Sequence, residues 1–344
     1  MFTSASLPAF RNTILDEAFK KSSRQKSPLS GFSEIKEIIP ENLELHKLLQ
    51  RTELHFDEHT SSYDDIAERI ASHPRVLCVV NTRKDALEIF SRLPDDGYNI
   101  HLSRMMCSKH LATTIAKIKE ILEQDHTTPI RVISTQLIEA GVDIDFPVVY
   151  RQEAGLDSIL QAAGRCNREG KIEGLAPVYI FKLDRASPRG FISHGINSLK
   201  NMTDISDWYS PETMIKYFVQ LYSRTNTFDK AKIEDKLYNP LPEFETASKE
   251  FRLIDDNTMT VIVNYGKSAE LIAQLKANGI NYSLRKELLQ YSVNLREYDF
   301  NILKQSNIVE EVVNSIYFLT DKKQYDNKIG LKLQSHFLEE ILIK

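Results

Sequence analysis

Cysteine is scarce in this chain. Three cysteines, at 78, 107 and 166, stand among 344 residues without metal-ligand spacing, which fits a reducing, cytoplasmic setting. Cys78 lies in an apolar run and reads as a core residue. No apolar run reaches membrane-spanning length, so no membrane partner is expected. The N-terminus lacks a basic segment followed by an apolar one, the signature of a signal peptide. Basic charge is not in excess: 44 Lys and Arg against 48 Asp and Glu give a net charge of −4. A uniformly basic surface is therefore excluded, and nucleic-acid binding would need a local groove. There is no His-Asp dipeptide to support a metal-nuclease site of that type, and no metal ligands are assigned.

A phosphate-cradling loop, G-x-x-x-x-G-K-[ST], is missing as well. Gly170-Lys171 is followed by Ile172, and Gly164 lies one residue too far upstream. Gly266-Lys267-Ser268 lacks the first glycine, since position 261 is Val, and reads as an ordinary strand-to-helix turn. Asp16-Glu17-Ala18-Phe19 resembles an acidic Mg2+ box, but no buried strand precedes it. Its amphipathic setting predicts a solvated helix face.

What is present is a soluble globular composition, 42% hydrophobic and 27% charged, long enough for two domains with sizeable cores. Residues 63–185 alternate strand and helix. Strands are predicted at 76–80, 98–102, 130–134, 148–150 and 178–181, with helices at 84–93, 111–122 and 157–168. Continuous β-branched runs such as Val76-Leu77-Cys78-Val79-Val80 suit strands buried on both faces. The fold class is α/β: a RecA-like parallel sheet with helices on both faces, then a helical linker over 186–250 and a small α+β domain over 251–344. Residues 1–62 read as the tail of a preceding domain and a linker, with an edge hairpin within 22–62.

In such sheets functional loops follow the carboxyl ends of strands. Three segments sit there. Asn81 and Thr82 follow the first strand; a polar pair there can hold a nucleic-acid phosphate, although a turn with a helix N-cap explains it better. Ser134 to Asp145 places hydroxyls at Ser134 and Thr135, then Gly141 and Asp143, which could accept from a ribose hydroxyl or orient an arginine. Gln161-Ala-Ala-Gly164-Arg165-Cys-Asn-Arg168 spaces Gln161, Gly164, Arg165 and Arg168 on one face of a helix. Two guanidiniums on one face suit a nucleotide γ-phosphate.

The order of these segments resembles the second RecA-like domain of superfamily 2 helicases. Asn81-Thr82 matches motif IV, Ser134 to Asp145 motif V, and Gln161 to Arg168 motif VI; Ser4-Ala5-Ser6 is similar to the S-A-T element that ends the first motor domain. The wording S-T-Q-L-I-E-A-G-V-D-I-D-F and Q-A-A-G-R-C-N-R-E-G resembles the CRISPR-associated helicase-nuclease of type I systems, as do Phe251-Arg-Leu-Ile-Asp, Leu289-Gln-Tyr-Ser-Val and Tyr325-Asp326 before Gly330-Leu331.

That resemblance implies ATP-driven translocation on single-stranded DNA and recruitment by a guide-RNA surveillance complex. It further implies a missing N-terminal half carrying the nuclease, the phosphate loop and the acidic box, so that ATP and Mg2+ are bound only when that half is present. By motif, Arg165 and Arg168 are the catalytic fingers. Gly141, Asp143, Gln161 and Gly164 join them at the nucleotide, Asn81, Thr82, Ser134 and Thr135 lie along DNA, and Ser4 and Ser6 couple the two. Relatives carry an arginine where Lys109-His110 stand here, which leaves the role of that segment open. A DNA- or complex-binding module with a vestigial ATP site, and another superfamily 2 helicase, are the alternative readings.

Overall fold

A computed structural model describes residues 10–21, 31–34, 45–125, 127–139, 141–186, 190–224, 229–251, 258–313 and 315–333. The chain divides into two compact units. One joins Gln50–Ser193 to Thr258–Lys344, and the other joins Met1–Leu49 to His194–Asn257. Ser4 and Ser6, and residues 252–257 at the start of the expected C-terminal domain, fall outside the described residues.

The first unit is built on six parallel strands, β1 (Thr52–Ser61), β2 (Arg75–Val80), β3 (Tyr98–Leu102), β4 (Ile130–Thr135), β5 (Val149–Gln152) and β6 (Ala176–Leu183). Their spatial order is β1-β6-β5-β2-β4-β3. All of Val76 to Val80 are fully buried, because helices cover both faces of a parallel sheet. Two helices are fixed locally at their starts. Ser62 and Asp65 form a capping box for Tyr63–Ala71, and Thr82 caps Arg83–Phe90.

β1 corrects the hairpin reading for the described end of residues 22–62. It pairs in parallel with β6, Thr52 against Ala176 and Phe56 against Ile180. Its sequence hides this because an edge strand buries little of either face, and its neighbour lies more than a hundred residues downstream.

The same unit holds a four-stranded mixed sheet in the order β8-β7-β10-β9, from β7 (Thr258–Ile262), β8 (Ser292–Arg296), β9 (Val309–Val313) and β10 (Ile316–Leu319). Val261 enters one core with Val293, Leu295 and Phe300; Ile262 enters another with Leu271, Leu275 and Leu288. Period-two alternation thus divides β7 between two covered faces. The Gly266-Lys267-Ser268 decoy is the turn into the helix Ser268–Asn278, with Gly266 at φ +53°.

The segment after β3 joins the two sheets. Met105 and Cys107 belong to the same core as Val261, Leu295, Tyr325 and Leu331. The Cys107 N–H donates to the Tyr325 hydroxyl at 3.0 Å, which donates to His110 Nδ1 at 2.9 Å. His110 Nε2–H in turn donates to the Asn327 carbonyl at 3.1 Å, and the ring stacks on Tyr265 with centroids 4.4 Å apart. The neutral Nε2–H tautomer satisfies both contacts. His110 is therefore a docking residue, while Lys109 beside it is exposed. Leu331 N–H closes the joint on the Met105 carbonyl at 2.8 Å.

In the second unit the helix Asn12–Lys21 packs against the helix Pro211–Ser223 through Ile14, Leu15 and Ala18. Asp16 and Glu17 face solvent, as their amphipathic setting predicts. Among the described residues no helix is long and apolar enough to cross a membrane. Cys78, Cys107 and Cys166 are all free and buried.

Two outcomes follow from the joint. At Gly330, φ is +80° and an added Cβ would lie 2.3 Å from the Met105 carbonyl oxygen; Gly330→Ala is expected to cost at least about 2 kcal/mol in urea unfolding. Burial holds the His110 pKa below the ordinary 6.5, partly offset by the Asn327 carbonyl and Asp326, and holds His101 at about 4. Their depressed folded pKa values mean that the unfolded chain binds more protons below pH 6.5. Stability is therefore full above pH 6.5 and falls as pH drops toward 4, and His110→Gln flattens that slope in thermal melts.

Candidate functional site

β5, β2 and β4 lie side by side at the centre of the sheet, and their carboxyl ends converge. Asn81 follows β2, Ser134 and Thr135 end β4, and Gln152 ends β5. Two of the three segments singled out by sequence therefore meet at the strand ends, but their side chains differ in what they offer.

Asn81 and Thr82 face inward. The Asn81 N–H donates to Gln152 Oε1 at 2.7 Å, and its side-chain amide donates to the Glu153 carbonyl at 2.9 Å. Thr82 Oγ1 accepts the Asp85 N–H at 2.9 Å as a helix cap. Ser134 is fully buried and donates to the Thr135 carbonyl at 2.8 Å. Of the four residues assigned to DNA, only Thr135 keeps its side chain partly exposed.

The helix reading of 157–168 is corrected. The helix runs from Leu156 to Ala163 and stops at Gly164. Gln161 remains helical, whereas Arg165 and Arg168 lie in the turn that follows and do not share a helix face with it. Tertiary bonding overrides the local periodicity. Phe146 N–H donates to the Arg165 carbonyl at 2.9 Å, and Asn167 N–H donates to the Phe146 carbonyl at 3.0 Å. Asn167 itself is buried at φ +46°. Its Oδ1 accepts the Ile172 N–H at 3.0 Å and its Nδ2 donates to the Ile172 carbonyl at 3.2 Å.

This turn brings the arginines to the loop after β4. Arg165 Nε donates to the Ile138 carbonyl at 3.1 Å and Nη2 to the Glu139 carbonyl at 2.7 Å. Arg168 Nε lies 3.0 Å from Asp143 Oδ1, an exposed pair of small energetic weight. Asp145 accepts the N–H groups of Arg168 at 2.7 Å and Glu169 at 3.2 Å. Gly141, at φ +73°, is exposed along the same loop, and Gly164 is exposed at the helix end. Partial burial and the neighbouring Arg168 lower the Arg165 pKa, opposed by Asp143 and Glu139; the guanidinium stays cationic.

A buried polar network underlies these groups, and sequence reasoning missed it. Arg151 has no exposed surface. Its Nε lies 3.2 Å from Glu139 Oε1, Nη1 donates to Asn81 Oδ1 at 2.8 Å, and Nη2 donates to Ser158 Oγ at 2.8 Å. Ser158 Oγ donates to Glu139 Oε1 at 2.8 Å. Burial pushes the Glu139 pKa up, with Arg151 and Ser158 opposing. The available signal was Arg151-Gln152 ending a buried apolar strand, since a buried guanidinium demands a partner.

Residues 72–171 match the family model of the C-terminal region of the CRISPR-associated nuclease/helicase Cas3. The chain is 29% identical over 166 residues to the CRISPR-associated nuclease/helicase Cas3 of Methanothermobacter thermautotrophicus, a match spanning 48% of this chain and 19% of that protein. It is 65% identical over 40 residues to the Haloferax volcanii protein of the same name, 12% of this chain and 4% of that one. The fold is similar to crystal structures of T. fusca Cas3, with AMPPNP (TM-score 0.53, 13% identity) and without a named ligand (0.52, 12%). The first of these matches covers 83% of this chain and 42% of that one, and the second 83% and 43%. In each case the match spans less than half of the relative.

Asn167 gives a direct check on the turn that carries the arginines. Asn167→Ala removes both Ile172 bonds and leaves an alanine at positive φ, an expected loss of roughly 3 kcal/mol in urea unfolding. Asn167→Gly loses the same bonds without the strain and should cost about 1 kcal/mol less.

Proposed function

We propose that this chain, which corresponds to the C-terminal part of the CRISPR-associated Cas3 helicase, supplies the arginine-bearing wall of an ATP site and part of a single-stranded DNA track. The observation that carries the reading is the convergence of Arg165, Arg168, Asp143 and Gly141 at the carboxyl ends of the central strands. Planar guanidiniums fixed at such a place neutralise charge developing on a transferring phosphoryl group.

The other requirements of that chemistry are a loop that cradles the phosphates and ligands for Mg2+. This sequence has no G-x-x-x-x-G-K-[ST] motif, and among the described residues no cluster of His, Cys, Asp or Glu could hold a metal ion. In this reading both are supplied by a separate N-terminal half, and Mg2+ there offsets phosphate charge. Arg165 and Arg168 face the γ-phosphate, with Gln161 and Gly164 flanking them. Asp143 lies beside Arg168 at the nucleotide, and Gly141 lets the loop approach it. Thr135 and backbone N–H groups near it contact DNA phosphates. Asn81, Thr82 and Ser134 support that surface from beneath, and Ser4 and Ser6 link nucleotide state to DNA. A guide-RNA surveillance complex delivers the displaced strand.

Steady-state assays with ATP and single-stranded DNA test the reading. The chain alone is expected to show no turnover above background. Adding a polypeptide with the phosphate loop and acidic box should restore it, and Arg165→Ala should then lower kcat by about 10³-fold or more. Turnover by the chain alone contradicts the division of the site. Indifference to Arg165→Ala favours a binding module with a vestigial site. DNA affinity should weaken as salt rises, as expected for phosphate contacts.

A further inference from the structure

We propose that the buried Arg151–Glu139 pair, bridged by Ser158, is a positioning device that holds Arg165 in the attitude its phosphate-facing role requires. This rests on the reading of Arg165 given above. Taking two charges out of water costs more than their attraction commonly returns, and an apolar pair of equal volume would serve a purely structural need as well. Arg151 instead uses its fork on three elements at once: Asn81 after β2, Glu139 in the loop after β4, and Ser158 in the helix Leu156–Ala163. A rigid planar guanidinium fixes those three partners relative to one another.

Glu139 transmits that rigidity. Its carboxylate is held by Arg151 and Ser158, while its main-chain carbonyl accepts Arg165 Nη2 and the adjacent Ile138 carbonyl accepts Arg165 Nε. Two consecutive carbonyls orient a guanidinium only while their peptide planes stay fixed. Ile138, fully buried, pins one side. On the other side the chain soon reaches exposed Gly141 at φ +73°, which adds no stiffness. The Glu139 side chain is thus the anchor. Among the described residues Arg165 Nη1 meets only the Gly164 carbonyl at 3.4 Å, a weak contact that leaves it as the donor for a phosphate.

Phenylglyoxal modifies free guanidiniums, and peptide mapping of the intact chain reads its rate at Arg165. Ser158→Ala and Glu139→Gln are each expected to raise that rate roughly five-fold, the size expected for loss of one hydrogen bond. In the chain complemented with the phosphate-loop half, both should lower kcat about ten-fold and leave KM for ATP within about two-fold. Ser158→Ala keeps the ion pair, so it reports even if Glu139→Gln fails to fold. Either readout at its wild-type value in Ser158→Ala overturns the proposal, as does a lower Tm with no change in labelling. Arg165→Ala separates the two readings: if turnover survives it, the phosphate-facing role fails, and labelling alone then decides whether the pair orients Arg165.

Discussion

A guanidinium with no exposed surface has to be neutralised and hydrogen-bonded where it lies, and that constraint on Arg151 organises the centre of the sheet. Arg151 is opposite Val79 in the parallel pairing of β5 with β2. A one-residue slip would turn it to the other face and strand its charge. Register, the Asn81 turn, the loop after β4 and the start of the arginine segment are therefore mutually dependent. Half-buried Arg165 and the exposed Arg168 and Asp143 stand on this buried layer. Rigid support beneath an open polar surface is what a charge-stabilising site needs, because the donors must already be in place when charge develops.

The second constraint is the joint after β3. Ser103 to Cys107 leaves the parallel sheet and contributes Met105 and Cys107 to the core of the mixed sheet. Tyr325 and His110 complete the joint with every polar atom satisfied. Family resemblance leads one to expect an arginine at the Lys109-His110 segment. Here a neutral histidine takes up a docking role, which ties the mixed sheet to the strand that edges the parallel one.

Much of the parallel sheet was legible because fully buried strands print continuous apolar runs. Val76 to Val80, Ile130 to Ser134 and Val178 to Phe181 all proved to be strands. β1 was not, since an exposed edge strand leaves no such run. The site was legible in its residue types and their order but not in its geometry. Helical spacing placed Gln161, Arg165 and Arg168 on one face; Phe146, whose backbone binds the segment just after the helix end at Ala163, lies some twenty residues upstream, beyond the reach of helical periodicity. Arg151 escaped because a single charge after Val148-Val149-Tyr150 looks like the end of a strand. Only the tertiary structure shows that it sits beside Asn81 and Glu139.

The central claim is that the loop Gly141–Asp145 and the turn Gly164–Arg168 together form one wall of a nucleotide site. A photoreactive ATP analogue carrying its reactive group on the γ-phosphate addresses this directly, in the chain complemented by a half that bears the phosphate loop. Mapping of the crosslinked peptides is predicted to place adducts on this chain within those two segments, and to lose them when excess ATP competes. Adducts confined to other parts of this chain, or insensitive to ATP, would contradict the account.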